Sequence, residues 1–186
     1  MDIGTGSIIL IVVILAVIWL IWTYNRFIQR KNEVREAWSG IDVQLKRRHN
    51  LIPNLVQTVK GYAGHEQETL DTLTRIRTGA IGERSVAQVA QEETILSKAL
   101  GNVLAVAESY PDLKASTNFL DLQQNLHEVE EQVQLSRRYY NGTVRNWNIL
   151  VESFPSNLIA TSFGFGTAEF FEIELATERA VPEVSF

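Results

Sequence analysis

The stretch "IILIVVILAVIWLIW", residues 8–22, decides the fold because it holds fifteen consecutive apolar residues. No charged residue occurs from Ile3 to Asn25. As an α-helix this uncharged segment would be roughly 34 Å long, enough to cross a bilayer hydrocarbon layer of about 30 Å. The sequence therefore predicts a transmembrane helix that includes Ile8 and Leu15.

Aromatic residues mark the carboxyl end of this span. Trp19, Trp22 and Tyr24 cluster there, and amphipathic rings favour the boundary between membrane and water. A cleaved signal peptide is the alternative, but it requires a basic segment before the apolar run and a small-x-small cleavage site. Only Asp2 is charged before the run, and "TYNRFIQRK" follows it. The sequence therefore favours a retained anchor.

Basic residues follow the span and predict its orientation. Arg26, Arg30 and Lys31 come directly after the aromatic residues and are expected to lie near lipid headgroups. Neither lysine nor arginine precedes the span. The positive-inside rule then predicts a short amino terminus outside and the bulk of the chain in the cytoplasm.

Composition limits the remaining possibilities. The chain has 186 residues and a net charge of −5, so it can form one domain with a core and is not expected to bind nucleic acid. It contains no cysteine, which excludes disulfides, thiolate metal sites and a cysteine nucleophile. The lipid bilayer is the partner that the composition predicts.

Apolar residues recur at helical spacing through most of the chain. One stripe runs from about residue 33 to residue 77, a second from Ser85 to about Ser109, and a third from about residue 117 to Pro155. The third stripe is expected to include Phe154. This pattern predicts an all-α fold, in which a transmembrane helix (residues 1–25) continues into an antiparallel bundle of three to four long helices (26–154).

A proline interrupts the first stripe within "KRRHNLIP". Asn50 is a suitable helix cap, and Pro53 would then lie in the first turn of a new helix, where a missing amide proton costs little. The apolar stripe keeps its phase across this point, which a true loop would not require. The sequence therefore favours a kinked but nearly continuous helix.

The basic cluster Lys46, Arg47 and Arg48 has three interpretations. Binding to lipid headgroups is disfavoured, since 20 helical residues separate Lys46 from Arg26, roughly 30 Å against a Debye length of about 8 Å. Pairing with carboxylates of neighbouring helices, such as those in "HEVEEQ", is favoured. Docking of a partner protein is the remaining interpretation.

The carboxyl-terminal segment, residues 155–186, differs in pattern from the helices. Apolar residues alternate with Glu172 and Glu174, which predicts an extended segment, either a strand or an apolar tail laid along the bundle. A single strand needs a partner edge, which a second copy of the chain would supply. The aromatic and apolar residues expected to mediate self-association are Phe163, Phe165, Phe170, Phe171, Ile173 and Phe186.

No motif predicts catalysis. "HEVEE" lacks the second histidine of a zinc-protease helix, and no glutamate is followed by histidine three residues later, as di-metal bundles require. Nucleophile, phosphate-binding and dinucleotide motifs do not occur. We therefore expect no catalytic residue, no metal ligand and no cofactor.

Three segments together carry a resemblance to a known family. "EAWSGIDVQLKRRHNLIPNLVQTVKGYAGHE", "LAVAESYPDLKASTNFLDLQQNL" and "RRYYNGTVRNWNILVESFPSNLIA" resemble the LemA family of bacterial membrane proteins, in family order. The resemblance implies a single-pass anchor in the bacterial inner membrane, a helical bundle, and no established enzymatic activity. Some relatives are associated with organelle membranes, which implies a role in membrane organisation. The conspicuous matching residues, whose roles are unassigned, are Trp38, Asp42, Gln44, Lys46, Arg47, Arg48, Pro53, Asn54, Tyr110, Pro111, Arg138, Tyr140 and Asn141.

Two functions are compatible with these expectations, and a third is the weakest. The first is a non-enzymatic scaffold that forms homo-oligomers at the membrane. The second is a monomeric adaptor that docks a membrane or cytoplasmic protein through its bundle. A metal-dependent enzyme is the third, and no residue pattern supports it.

Overall fold

The structure, a computed structural model, describes residues 4–62 and 84–172. Within these ranges the chain forms α-helices and no β-strand. The helices are α1 (Thr5–Lys60), α2 (Val86–Glu108), α3 (Pro111–Lys114), α4 (Thr117–Glu152) and α5 (Ser156–Phe163). The predicted all-α fold class is confirmed.

Helix α1 continues without a break from the predicted membrane span to Lys60. Pro53 lies inside it, although a proline removes one backbone hydrogen bond from a helix interior. The apolar stripe is buried on both sides of this proline, at Ile41, Leu45, Ile52, Leu55 and Val59. The continuity of the helix is therefore as predicted, while a bend at Asn50 and Pro53 stays a prediction.

Helix α2 begins at a capping box. The Ser85 hydroxyl accepts a hydrogen bond from the Gln88 amide at 3.2 Å, and the Ser85 amide donates to the Gln88 side-chain oxygen at 2.9 Å. This exchange satisfies two amide groups that a helix start leaves without helical partners. The buried face of α2 includes Val89, Leu96, Leu100, Val103 and Ala107, whereas Val86, which the spacing also places on this face, is half-buried.

A short helix separates α2 from α4. Helix α2 ends at Glu108, close to the predicted end of the second stripe. Pro111 begins α3, because a first-turn residue does not need its amide proton. Leu113 from this helix is fully buried. Four residues are too few to produce a helical period in the sequence, so α3 was not predicted.

The chain divides into two compact units. Unit 1 comprises Met1–Ser39 and Tyr139–Ala168, and unit 2 comprises Gly40–Arg138 and Glu169–Phe186. The predicted domain boundaries after residues 25 and 154 both fall inside unit 1. The core of unit 1 contains Phe27, Trp147, Leu150, Ile159 and Ala160. The core of unit 2 includes Ile52, Leu55, Val59, Leu96, Val103, Leu113 and Phe119.

The segment after α4 begins as a helix, which corrects the prediction of an extended chain from residue 155. Helix α5 is held at its start by the Ser156 hydroxyl, which donates to the Leu150 carbonyl at 2.7 Å. Gly164 ends it with φ 70°, a conformation that glycine adopts without strain, and the Phe165 amide donates back to the Ala160 carbonyl at 2.9 Å. Residues 165–172 form neither helix nor strand.

Two further expectations fall at the end of the chain. Phe154 was expected on the inner face of the third stripe, but α4 ends at Glu152 and the Phe154 side chain is 79% exposed. That expectation is wrong because the turn before α5 points this ring away from the core. The expected strand extends beyond Glu172 and lies mostly outside the described residues.

Two adjacent residues on α2 test the assignment of its buried face. Leu96 is fully buried, whereas Ile95 is 53% exposed. We expect Leu96→Ala to lower the free energy of unfolding by about 2–5 kcal/mol, because it leaves a cavity in the core of unit 2. Ile95→Ala should change it by about 0.5 kcal/mol or less. Urea unfolding of the full-length protein in detergent, followed by circular dichroism, measures both. Equal losses would contradict the assignment.

Candidate functional site

The predicted membrane span is exposed in the structure. No residue is buried in the most apolar 18-residue window of α1. Among the described residues α1 is the one helix long and apolar enough to cross a membrane. The core helix of a soluble protein would be buried, so the exposure of Ile8 (52%) and Leu15 (59%) suggests a single membrane anchor.

The residues that flank the span lie in unit 1. The Tyr24 ring packs against Phe163, with ring centroids 4.9 Å apart. The Arg26 guanidinium lies over the Trp22 ring, 5.5 Å from its centroid. Arg30 pairs with Glu33 at 2.6 Å on the same helix. The adjacent Lys31 and the Trp19 indole, which is 38% exposed, complete the predicted boundary set.

A buried ionic network, here called the Arg48 cluster, joins three helices of unit 2. It consists of Arg48 and His49 from α1, Glu93 and Ser97 from α2, and Glu130 from α4. The Arg48 guanidinium donates to Glu93 Oε2 at 3.0 Å and to Ser97 Oγ at 3.0 Å, and it pairs with Glu130 Oε2 at 2.7 Å. His49 Nε2 lies 2.8 Å from Glu93 Oε1.

Burial makes this network a structural constraint. The side chains of Arg48 and Glu93 are 4% and 3% exposed, so each has lost most of its hydration. A buried charge is tolerated only when partners replace the water it has lost. Both oxygens of Glu93 and both terminal nitrogens of Arg48 have such partners. The arrangement therefore fixes how three helices of unit 2 align.

The remaining members of the basic stretch behave differently. Lys46 pairs with Asp42 at 2.6 Å, and Arg47 donates to Gln44 at 3.3 Å, both within α1 and both on the surface. Glu130 belongs to the segment "HEVEEQ", in which the sequence located partner carboxylates. Glu93 was missed, although a visible signal existed: it occupies an inner position of α2 between apolar residues.

A groove of about 760 Å³ lies beside the Arg48 cluster in unit 2, between α2 and α4. Its apolar lining includes Leu100, Leu104 and Leu120, and Asp121 and His127 add polar groups. Such a groove can accept the apolar face of a helix from another protein or from a second copy. Within the described ranges, no three metal-ligating side chains are grouped to hold an ion.

The aromatic residues predicted to mediate self-association fall into two groups in the structure, those buried within their own chain and those exposed. Phe165 stacks on Phe27 at 4.8 Å, and Phe171 is fully buried, so both are occupied within their own chain. Phe163 and Phe170 remain 52% and 41% exposed. Ile173 and Phe186 lie outside the described residues.

Hydrogen bonds fasten the chain after α5 to α4 in unit 1. The Trp147 indole donates to the Gly166 carbonyl at 2.8 Å. The Asn148 side chain donates to the Ala168 carbonyl at 3.1 Å and accepts from the Ala168 amide at 2.8 Å. No sequence motif signalled these contacts, because they join residues about twenty positions apart through the backbone.

Neighbouring arginines test the role of the Arg48 cluster. Arg48→Met leaves the Glu93 carboxylate buried without its main partner, and we expect the free energy of unfolding to fall by about 3–5 kcal/mol. Arg47→Met removes the same charge from the surface of the same helix and should cost about 0.5 kcal/mol or less. The double variant Arg48→Met/Glu93→Met should recover much of the loss, because two apolar side chains of similar size need no partner. Similar losses for both single variants would contradict a structural role for Arg48.

Comparison with known sequences identifies the family of this chain. The sequence model of the LemA family matches residues 37–186. A magnetosome protein MamQ of Paramagnetospirillum magneticum is 25% identical over 188 residues, covering 87% of this chain and 69% of that protein. The magnetosome protein MamQ of Magnetospirillum gryphiswaldense is 21% identical with the same coverage. Protein LemA of Metamycoplasma hominis is 25% identical over 152 residues, covering 80% of this chain and 68% of that protein. The chain belongs to the LemA family.

Proposed function

We propose that this protein is a non-enzymatic helical scaffold, anchored in the bacterial inner membrane by α1, that self-assembles there and organises membrane or partner proteins. The single observation that supports anchoring is that no residue is buried in the most apolar 18-residue window of α1. In this proposal the short amino terminus lies outside, and Arg26, Arg30 and Lys31 keep the rest of the chain in the cytoplasm. The relatives named magnetosome proteins fit a role at a cellular structure.

Exposed apolar side chains in unit 2 support the self-assembly part of the proposal. Ile95 (53% exposed) and Phe170 (41%) line a groove of about 510 Å³ on the outer side of α2. We call these two residues the α2 patch. Phe170 belongs to the segment predicted to self-associate, and exposed apolar patches commonly mark protein interfaces. The occupant we propose is a second copy of the chain.

The mass of the full-length protein in lipid nanodiscs tests this assembly. We expect two or more chains per disc at low protein loading, with a shift toward one chain for Ile95→Ser/Phe170→Ser, since the double variant removes the apolar contact. Leu135→Ser is the matched control, because Leu135 is 50% exposed but lies outside the α2 patch. A strictly monomeric wild-type protein at every loading would contradict self-assembly.

A monomeric adaptor is the second candidate, and the groove beside the Arg48 cluster favours it. That groove combines leucines with polar residues, as expected for a surface that receives an amphipathic helix. The same mass measurement separates the two candidates: a monomer in nanodiscs supports the adaptor, and an oligomer sensitive to the α2 patch supports the scaffold.

A further inference from the structure

A second groove, of about 380 Å³, opens in unit 1 beside the carboxyl end of the apolar span. Trp19, Trp22, Arg26 and Arg30 line one wall, at intervals of three, four and four residues, so they share one face of α1. Along this face the side chains change from indole to guanidinium. The same order of chemistry is found across the boundary of a bilayer, where aromatic rings lie at headgroup level and cations lie beside phosphates.

The opposite wall combines exposed apolar side chains with the polar Asn146, Ser153 and Ser156. Ile149 and Phe154, which line the groove, are 55% and 79% exposed. Leu158 and Phe163 on α5 are 59% and 52% exposed. Because the Phe163 ring contacts Tyr24, this surface lies level with the aromatic end of the span. It is thus continuous with the part of the chain proposed to contact lipid.

Helix α5 is packed on one side only. Ile159 and Ala160 are buried in the core of unit 1 with Phe27. The opposite side presents Leu158 to the surroundings. A helix fixed in this way, with an outward apolar side at headgroup level, fits the interfacial layer of a membrane.

Two polar groups that line this groove are suited to a ligand with acceptor oxygens. Among the described residues no carboxylate pairs with Arg26, whose guanidinium contacts the Trp22 ring. The Thr23 side chain lines the groove and is 3% exposed, and its hydroxyl has no hydrogen-bond partner. Buried hydroxyls are normally satisfied, so the unpaired Thr23 hydroxyl, in a groove that Arg26 also lines, supports a ligand with acceptor oxygens.

We propose that this groove binds an anionic glycerophospholipid. Its phosphate pairs with Arg26 and with Arg30, whose guanidinium also pairs with Glu33 at 2.6 Å. An ester or phosphate oxygen accepts from Thr23, and an acyl chain lies along Ile149 and Phe154. The exposed side of α5 rests in the headgroup layer of the same leaflet. This inference rests on the proposed membrane anchoring, and it adds a defined lipid site to it.

The test is titration of full-length protein in neutral detergent with dioleoyl phosphatidylglycerol, followed by thermal shift and native mass spectrometry. We expect one retained lipid per chain for the wild type. Arg26→Gln/Arg30→Gln should weaken binding about 25-fold, since each basic side chain near an anionic headgroup contributes about fivefold. Lys31→Gln/Arg35→Gln is the matched control: it removes the same charge from the same helix outside the groove, and should weaken binding at most about twofold.

Two more variants separate lipid binding from a structural role. Phe154→Ser should weaken lipid binding and leave the lipid-free melting temperature unchanged, because this ring packs against little in its own chain. Thr23→Val should weaken lipid binding without lowering that melting temperature, because its hydroxyl has no partner to lose. If Phe154→Ser dissociates oligomers and leaves lipid retention intact, the surface belongs to a second copy and the inference is overturned.

Three other outcomes also overturn it: no lipid retained by the wild type, equal weakening by both charge variants, or an equal thermal shift with inorganic phosphate alone. Alkaline extraction of membranes containing the wild-type protein distinguishes this failure from failure of the anchoring proposal. If the protein stays in the membrane pellet but retains no lipid, only the lipid site in the groove is contradicted. If the protein is released into the supernatant, the membrane anchoring proposal is contradicted.

Discussion

The apolar run Ile8–Trp22 near the start of α1 must be removed from water, and the rest of the structure depends on this constraint. Fourteen large apolar residues between Ile8 and Trp22 are 38–61% exposed. At about 25 cal/mol per Å² of apolar surface, leaving them in water would cost on the order of 10 kcal/mol or more, comparable to the whole stability of a domain. An α-helix also satisfies its own backbone N–H and C=O groups with internal hydrogen bonds, whereas lipid tails offer no hydrogen-bond partner. The cost of exposing apolar surface to water favours a bilayer around this segment, and the helical backbone allows it to enter one.

A different kind of constraint organises unit 2. Its apolar core explains why the helices associate, but apolar contacts alone tolerate many alignments. The Arg48 cluster is less permissive, because a shift of any one helix would leave a charge buried without a partner. The basic stretch, which carries no catalytic motif, thus has a structural role: through Arg48 it fixes the alignment of the helices in unit 2. The groove beside the cluster is the surface of unit 2 that the adaptor alternative would use.

The sequence predicts well the features that repeat over many residues at helical spacing. It predicts poorly the elements that are short and the contacts between residues far apart in the chain. The span, the buried stripe of α1 and the cap at Ser85 depend on neighbours within a few residues, so they were visible. Helix α5 has only eight residues, too few for a clear period, and its position depends on contacts with Phe27 far away in the chain. Phe165 packs on that same ring because Gly164 turns the chain back, which no spacing could indicate.

The candidate sites follow the same division. Glu130 was anticipated as a partner of the basic stretch because its segment is rich in carboxylates. Glu93 required attention to a charge at an inner helical position. The groove beside the span combines α1 with residues more than a hundred positions later, so only the folded chain brings it together.

Labelling of single cysteines tests most directly whether α1 crosses the membrane, because the chain has no cysteine of its own. Gly4 has open space around it, and Lys60 is exposed at the other end of the same helix. With a membrane-impermeant maleimide added to intact spheroplasts, the account predicts that Gly4→Cys is labelled at once and Lys60→Cys only after permeabilisation. Labelling of both positions before permeabilisation, or of neither, would contradict a helix that spans the bilayer.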